Sequence, residues 1–109
     1  MKSLKIEVSP LAAEGLLEIF HYCLQQFARP VADRVKASIL SACRNLSLFP
    51  DSAPLISDPK LKELGYRSLI VSSTVVIYTH DEETIYIDMI VDSRRNYPAL
   101  FCSIKDGFE

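Results

Sequence analysis

The sequence is poor in cysteine, with only three residues, at positions 23, 43 and 102. Their number is odd and no two of them form a Cys-x-x-Cys pair, which argues against a disulfide framework and against a zinc site. Cys23 and Cys43 fall on the apolar faces of two predicted helices. Free cysteine is usually a small buried hydrophobe, so we interpret these residues as structural and expect a reducing compartment.

Long apolar runs are also absent, and no stretch approaches the roughly 20 residues of a membrane span. The amino terminus, Met1–Pro10, has alternating charges where a signal peptide needs an apolar run. A chain of 109 residues with 49% hydrophobic content is long enough for one core and too short for two. The sequence therefore predicts a soluble, cytoplasmic protein with a single domain over residues 1–109.

An excess of positive charge is missing, since the net charge is −2 and the isoelectric point is near 5.7. Domains that depend on phosphate contacts are usually basic, so this balance favours a protein target over a nucleic acid. Positive charge is nevertheless concentrated at Lys60, Lys62, Arg67 and the Arg94-Arg95 pair.

The amino-terminal half predicts one strand and two helices. Apolar residues alternate from Leu4 to Val8, which is the pattern of a half-buried strand. Ser9-Pro10 is a good helix start, and apolar residues at helical spacing carry that helix to about Phe27. A second apolar stripe from Val31 to Leu46, after so short a break, completes a helical hairpin. The proline-containing segment 49–59 is predicted to be a loop.

Three β-branched runs follow Gly65, with predicted turns at Ser72-Ser73 and at residues 80–83. The breaks leave no room for crossover helices, so the runs predict an antiparallel meander. In the last strand, one predicted face carries Ile85, Ile87, Met89 and Val91, and the other carries Tyr86, Asp88, Ile90 and Asp92. The expected fold class is α+β, in the order β-α-α-β-β-β. The helical hairpin packs on one face of an antiparallel sheet that the amino-terminal strand joins.

This order and four motifs resemble the RelE/ParE superfamily, the toxins of bacterial type II toxin–antitoxin modules that are also described as plasmid stabilisation proteins. The motifs are Ser9-Pro10, Tyr66-Arg67, Val75-Val76-Ile77-Tyr78 and the ending Ile90-Val91-Asp92-Ser93-Arg94-Arg95-Asn96-Tyr97-Pro98-Ala99-Leu100-Phe101. The resemblance covers nearly the whole chain.

Two mechanisms occur within that superfamily. RelE-like members cleave messenger RNA on the ribosome with cationic residues on the sheet and a tyrosine near the carboxyl end. Arg67 and Arg94 match two cationic positions, whereas the third-strand arginine position falls at about Val75 and the tyrosine position at Leu100 or Phe101. Neither histidine lies near the carboxyl end, so the nuclease set is incomplete.

ParE-like members, which this chain resembles better, lack the nuclease residues and inhibit DNA gyrase. The resemblance therefore implies a gyrase-binding toxin that a cognate antitoxin neutralises, with no cofactor or metal and with DNA reached only through the antitoxin. Two alternatives stay open. One is a ribosome-dependent endoribonuclease, with the ribosome and messenger RNA as partners, and the other is a non-toxic, antitoxin-binding homologue.

The candidate site residues are Arg67, Arg94, Arg95 and Tyr97. They follow or open strands, where a rigid scaffold presents a side chain at the mouth of the sheet. We expect them to bind the target, or to act in catalysis if the protein is a ribonuclease. The plainer interpretation also stays open, in which the arginine pair forms surface ion pairs and Tyr97 packs at the edge of the core.

Overall fold

Four strands and three helices occur in residues 3–93, the part of the chain that the computed structural model describes. They are β1 Lys5–Val8, α1 Pro10–Gln26, α2 Arg29–Leu46, α3 Pro59–Glu63, β2 Arg67–Val71, β3 Thr74–His80 and β4 Thr84–Asp92. The strands form one sheet in the order β1-β4-β3-β2. The predicted α+β fold is therefore confirmed, with α3 as an element that the sequence pattern did not predict.

The helical hairpin begins and ends close to the predicted residues. The Ser9 hydroxyl accepts a hydrogen bond from the Ala12 amide at 3.0 Å, and Pro10 occupies the first turn of α1. Ile39 and Leu46 of α2 are each 1% exposed, as the apolar stripe predicted. Burial of such a stripe on the sheet is the main source of stability for helices of this length.

The last three strands form the predicted antiparallel meander, whereas β1 joins it in parallel. The pairing of β1 with β4 runs from Lys5 opposite Thr84 to Val8 opposite Ile87. A parallel partner requires a long crossover, and the α1–α2 hairpin supplies one between β1 and the meander. The sheet is thus mostly antiparallel, with one parallel edge strand.

A β-bulge interrupts β4 at Asp88. Ile77 of β3 lies opposite Met89, but the next residue, Tyr78, lies opposite Ile87, so Asp88 is the extra residue of β4. An extra residue shifts the alternation of side chains by one position, which moves every later side chain to the other face.

The predicted assignment of β4 side chains to faces is therefore wrong. Ile85, Ile87 and Ile90 belong to the core cluster beneath the helices, whereas Met89 and Val91 belong to a second cluster on the opposite face. The sequence prediction placed Ile85, Ile87, Met89 and Val91 together because it assumed an unbroken period of two. The bulge lets one strand bury apolar side chains on both faces.

The segment before β2 covers the face opposite the helices. Asp58 caps α3 by accepting hydrogen bonds from the amides of Lys60 at 3.1 Å and Leu61 at 3.2 Å. Leu61 is fully buried in the second cluster together with Ile56 and Tyr66. The loop predicted for residues 49–59 therefore ends in a short helix that seals the second cluster.

Gly15 sets the distance between α1 and β4. A Cβ atom at this position would collide with the backbone carbonyl oxygen of Ile90. The helix can approach the strand this closely only because Gly15 has no side chain.

We expect Gly15→Ala to destabilise the protein. In an unhindered helix, replacing Gly by Ala stabilises by about 1 kcal/mol, but overpacking against backbone costs about 1–3 kcal/mol or more. The sign of the change in the free energy of urea unfolding decides between the two effects. Ala13→Gly, at an exposed position of the same helix, is the control, because it measures the difference in helix propensity between Ala and Gly without overpacking. A Gly15→Ala variant more stable than the wild type would refute the close approach.

Candidate functional site

Arg67 is the candidate residue that lies within the described part of the chain, whereas Arg94, Arg95 and Tyr97 lie outside it. Arg67 opens β2 directly opposite Tyr78 of β3, so both side chains lie on the face that carries the helices. The Arg67 guanidinium donates a hydrogen bond to the Ala53 carbonyl oxygen at 2.6 Å. It also lies 3.2 Å from Oδ1 of Asp51, and its side chain is only 21% exposed.

The Asp51 carboxylate joins Arg67 to a histidine. Nε2 of His80 lies 2.7 Å from the same Asp51 oxygen that faces Arg67. The hydrogen bond from His80 holds the pKa of Asp51 below its ordinary value, and the positive charge of Arg67 acts in the same direction. Because the Asp51 side chain is 70% exposed, water screens these interactions and each contributes modestly to stability.

Tyr78 adds an uncharged contact to the same segment. Its hydroxyl donates a hydrogen bond to the Pro50 carbonyl oxygen at 2.8 Å, and burial raises the pKa of the phenol. Three side chains of the sheet thus hold residues 50–53 in place. We call Asp51, Arg67, Tyr78 and His80 the loop latch.

His80 is set between two oxygen acceptors. While Nε2 faces Asp51, Nδ1 lies 3.0 Å from the backbone carbonyl oxygen of Asp81. A ring protonated on both nitrogens donates to both acceptors, whereas a neutral ring donates to one. The imidazole thus bridges the Asp51 carboxylate and the backbone of the turn that follows β3.

The turn after His80 is fixed by the Asp81 carboxylate. It accepts hydrogen bonds from the amides of Glu83 and Thr84, both at 2.8 Å, and from the Tyr86 hydroxyl at 2.9 Å. The bond from the Glu83 amide is the largest reason that the pKa of Asp81 lies below its ordinary value. Residues 80–83 form the turn that the sequence predicted, except that His80 itself is the last residue of β3.

The loop latch holds residues 50–53 against the sheet. Its carboxylate engages both the cation and the imidazole, and its phenol bonds to backbone. Sequence reasoning placed Arg67 near the end of the sheet but missed Asp51 and His80. The spacing of Tyr78 and His80 in β3 indicates a shared face, whereas no sequence pattern brings Asp51 to them.

The other face of the sheet carries a second, apolar cluster. Its members are Ile56, Leu61, Tyr66, Val75, Ile77, Met89 and Val91, with Leu11 packed against them. Val75, near which the resemblance to RelE-like nucleases implies an arginine position, is fully buried.

Both cysteines in the described segment are buried, each 7% exposed. Burial raises the pKa of the Cys43 thiol to about 11, so it is protonated and unreactive at neutral pH. The predicted structural role fits both residues, and Cys102 lies outside the described residues. Between residues 3 and 93, no group of three or more His, Cys, Asp and Glu side chains is placed to hold a metal ion.

The match to a family model decides the family. The model of the ParE toxin of the type II toxin–antitoxin system parDE matches residues 6–97. The chain belongs to the ParE toxin family. The match begins at the second residue of β1 and extends past the end of β4, so it includes all three helices and β2, β3 and β4 in full. No curated protein matches the chain.

A solved structure shares the fold of this ParE family member. It is a chain of the "Chromosomal ParDE TA system from P. aeruginosa", with a TM-score of 0.69 and 15% sequence identity. The superposition covers 83% of the present chain and 96% of the other. At this identity the likeness supports the architecture and carries no residue roles. No helix within residues 3–93 is both long and apolar enough to cross a bilayer.

We expect Asp51→Asn to lower stability at neutral pH and not in acid. Because the pKa of Asp51 is lower in the folded state, the carboxylate stabilises the fold above its ordinary pKa of 3.8 and loses this effect as the pH falls through the lowered value. The difference from the wild type should be under about 1 kcal/mol near pH 6, since the group is exposed, and should vanish near pH 2. Urea unfolding across this range measures it.

Asp33→Asn is the matched control, because it removes a carboxylate from an exposed helical ion pair with Arg29 at 3.7 Å. It should change stability less than Asp51→Asn. A stability difference between Asp51→Asn and the wild type that persists undiminished at pH 2 would contradict the role of the carboxylate.

Proposed function

We propose that this ParE family member is the toxin of a type II toxin–antitoxin module and that it inhibits growth by binding DNA gyrase. The toxin assignment rests on the family match over residues 6–97. The preference for gyrase over RNA rests on one observation, the fully buried Val75 in the apolar cluster opposite the helices. Under this proposal the protein acts by binding and is not an enzyme.

Cleavage of RNA places chemical demands that the described residues meet poorly. The 2′-hydroxyl must lose a proton, the leaving oxygen must gain one, and the charge of the phosphate must be neutralised. Arg67 is the expected cation on the sheet, yet it contacts Asp51 and Ala53. The net charge of −2 further disfavours a target dominated by phosphates. These points support a protein target.

Within the proposal, Arg67, Arg94, Arg95 and Tyr97 are the residues that contact gyrase. A guanidinium pair next to an aromatic ring is typical of energetically important interface residues. This assignment rests on sequence position alone.

Induction of the protein without an antitoxin should relax plasmid DNA and leave ribosome-bound messenger RNA uncut. Arg94→Ala should raise the inducer concentration needed for growth inhibition at least tenfold, because it removes a cation from the target contact. Arg34→Ala, at an exposed position of α2, should leave toxicity unchanged. Supercoiling and messenger RNA integrity are measured in the same cultures.

Each alternative has its own result in this experiment. Site-specific cuts in messenger RNA with unchanged supercoiling would establish the ribonuclease and overturn the gyrase proposal. In that case Arg94→Ala should reduce cleavage about a hundredfold or more. Normal growth on induction, with folded protein accumulating, would indicate the non-toxic homologue.

We further propose that a cognate antitoxin adds a strand to β2, which is one of the two edges of the sheet among residues 3–93. The other edge, β1, is four residues long and carries exposed Lys5 and Glu7, which discourage pairing. Beyond Arg67, β2 is uncharged, and Ile70 is 64% exposed. An uncharged edge strand invites strand addition.

The backbone of β2 has the orientation that strand addition requires. The Ser68 amide points away from β3, because it donates to the Pro54 carbonyl oxygen at 3.1 Å. Alternate residues of an antiparallel strand point the same way, so the backbone groups of Ile70 face the same open side. Residues 54–56 occupy only the first part of this edge, next to residues 66–68.

Ile70→Lys should lower the affinity for the antitoxin encoded next to the gene at least tenfold, because a charge at the edge opposes pairing. Leu17→Lys is the matched control, since Leu17 is a comparably exposed residue (54%) on the helical hairpin. Co-purification followed by titration calorimetry gives both affinities. Loss of binding in Leu17→Lys alone would show that the antitoxin binds the helices and not β2. A wild-type protein that does not bind the neighbouring gene product would contradict the antitoxin proposal.

A further inference from the structure

Two donors of the sheet converge on one carboxylate oxygen in the loop latch. A guanidinium nitrogen of Arg67 lies 3.2 Å from Oδ1 of Asp51, and Nε2 of His80 lies 2.7 Å from the same atom. Arg67 opens β2 and His80 ends β3, so both donors stand on paired strands. Their side chains are 21% and 22% exposed, whereas the Asp51 side chain is 70% exposed. The donors are therefore the fixed part of this contact, and the carboxylate is its solvent-facing part.

The Asp51 side chain can leave this contact while the loop that carries it stays in place. On one side of Asp51, the Tyr78 hydroxyl donates to the Pro50 carbonyl oxygen at 2.8 Å. On the other side, the Arg67 guanidinium donates to the Ala53 carbonyl oxygen at 2.6 Å. Neither bond involves the carboxylate. Because exposed side chains change rotamer on the fastest timescales of a protein, the two donors can exchange one carboxylate for another.

We propose that Arg67 and His80 form a carboxylate-binding site, which Asp51 fills in the free protein and an acidic side chain of a partner protein fills in the complex. A guanidinium pairs with a carboxylate through short, charge-assisted hydrogen bonds. Asp51 is then an internal competitor, because a tethered group has an effective concentration on the order of millimolar or higher. A partner segment that is held by further contacts presents its own carboxylate in the same way.

The surface beside the site suits a protein segment. The Ser52 amide donates to the Phe49 carbonyl oxygen at 3.1 Å, so Phe49 and Asp51 belong to one turn. Phe49 is 55% exposed, and Leu48, which precedes it, is 42% exposed. An arginine contact beside exposed aromatic surface is typical of energetically important residues at protein interfaces.

The charge around the site favours a carboxylate over a phosphate. Asp81 directly follows His80, and Glu82 and Glu83 continue the same turn. A phosphate group carries about −1.5 to −2 charges at neutral pH, so such neighbours repel it more strongly than they repel a singly charged acid. The side chain that fits is therefore an aspartate or a glutamate.

The identity of the partner rests on the proposed function, in which Arg67 contacts gyrase. The carboxylate site itself does not depend on gyrase. Binding of acetate to the purified protein tests the site, and growth inhibition tests whether the target uses it.

Acetate is the probe for the site in the full-length protein. Asp51→Ala removes the internal carboxylate, and Ser52→Ala, at an exposed position of the same turn, is the matched control. The chain has two histidines, so the ring resonances of His80 report on the site and those of His21 are an internal reference. At fixed neutral pH and ionic strength, acetate should shift the His80 resonances of Asp51→Ala saturably and leave those of His21 unchanged.

The wild type and Ser52→Ala should need at least tenfold more acetate for the same shift, because Asp51 competes from within the chain. Adding Arg67→Gln to Asp51→Ala should abolish the response, and if this double variant does not fold, the comparison with the wild type decides. Equal titrations of the wild type and Asp51→Ala would overturn the site, as would equal shifts of His80 and His21. Inorganic phosphate that binds Asp51→Ala more tightly than acetate would overturn the preference for a carboxylate.

Growth inhibition tests the use of the site in the target contact. At equal levels of folded protein, Asp51→Ala should inhibit growth at an inducer concentration at least threefold lower than the wild type and Ser52→Ala need. An unchanged or higher requirement, with the wild type still toxic, would overturn the exchange of Asp51 for a target carboxylate and leave gyrase as the target. A wild type that does not inhibit growth would instead refute the proposed toxicity, and the acetate titration alone would then decide the carboxylate site.

Discussion

The junction between Ser9 and the bulge of β4 is the contact on which the rest of the fold depends. The Ser9 amide donates to the Ile87 carbonyl oxygen at 2.9 Å, and its hydroxyl donates to the Asp88 carbonyl oxygen at the same distance. The same hydroxyl accepts from the Ala12 amide. One residue therefore ends the pairing of β1, begins α1 and anchors that helix to the irregular point of β4. The missing side chain of Gly15 then lets the next turns of α1 follow the strand closely.

The bulge determines how a four-stranded sheet of this size can be buried on two sides. Before Asp88, the isoleucines of β4 face the helical hairpin, and after it Met89 and Val91 face the segment that contains α3. The second cluster closes the face opposite the helices with apolar side chains from β3, from β4 and from the segment that contains α3.

The elements that sequence reasoning predicted are those whose signals are local. Ser9-Pro10 marks the start of α1, and the apolar stripe to Leu46 marks the buried face of α2. The same local logic could have found α3, because Asp58-Pro59 repeats the pattern of a capping side chain followed by proline.

The bulge in β4 could not be predicted from the sequence, since an alternation with a period of two contains no sign of an inserted residue. The loop latch was equally hidden, because Asp51 meets Arg67 and His80 only after the sheet has formed. The arginine pair and Tyr97 stay sequence predictions.

The parallel pairing of β1 with β4 has a consequence for how the protein is made. The Ser9 hydroxyl and its partner at Asp88 are 79 residues apart in the chain. Contacts so distant in sequence form late, because loop closure must precede them. A nascent chain on the ribosome holds β1 and both helices long before β4 has been synthesised, and none of them can pack on the strand that covers them. The native contacts of β1 and of α1 with β4 therefore cannot form until the chain has been synthesised and released as far as β4.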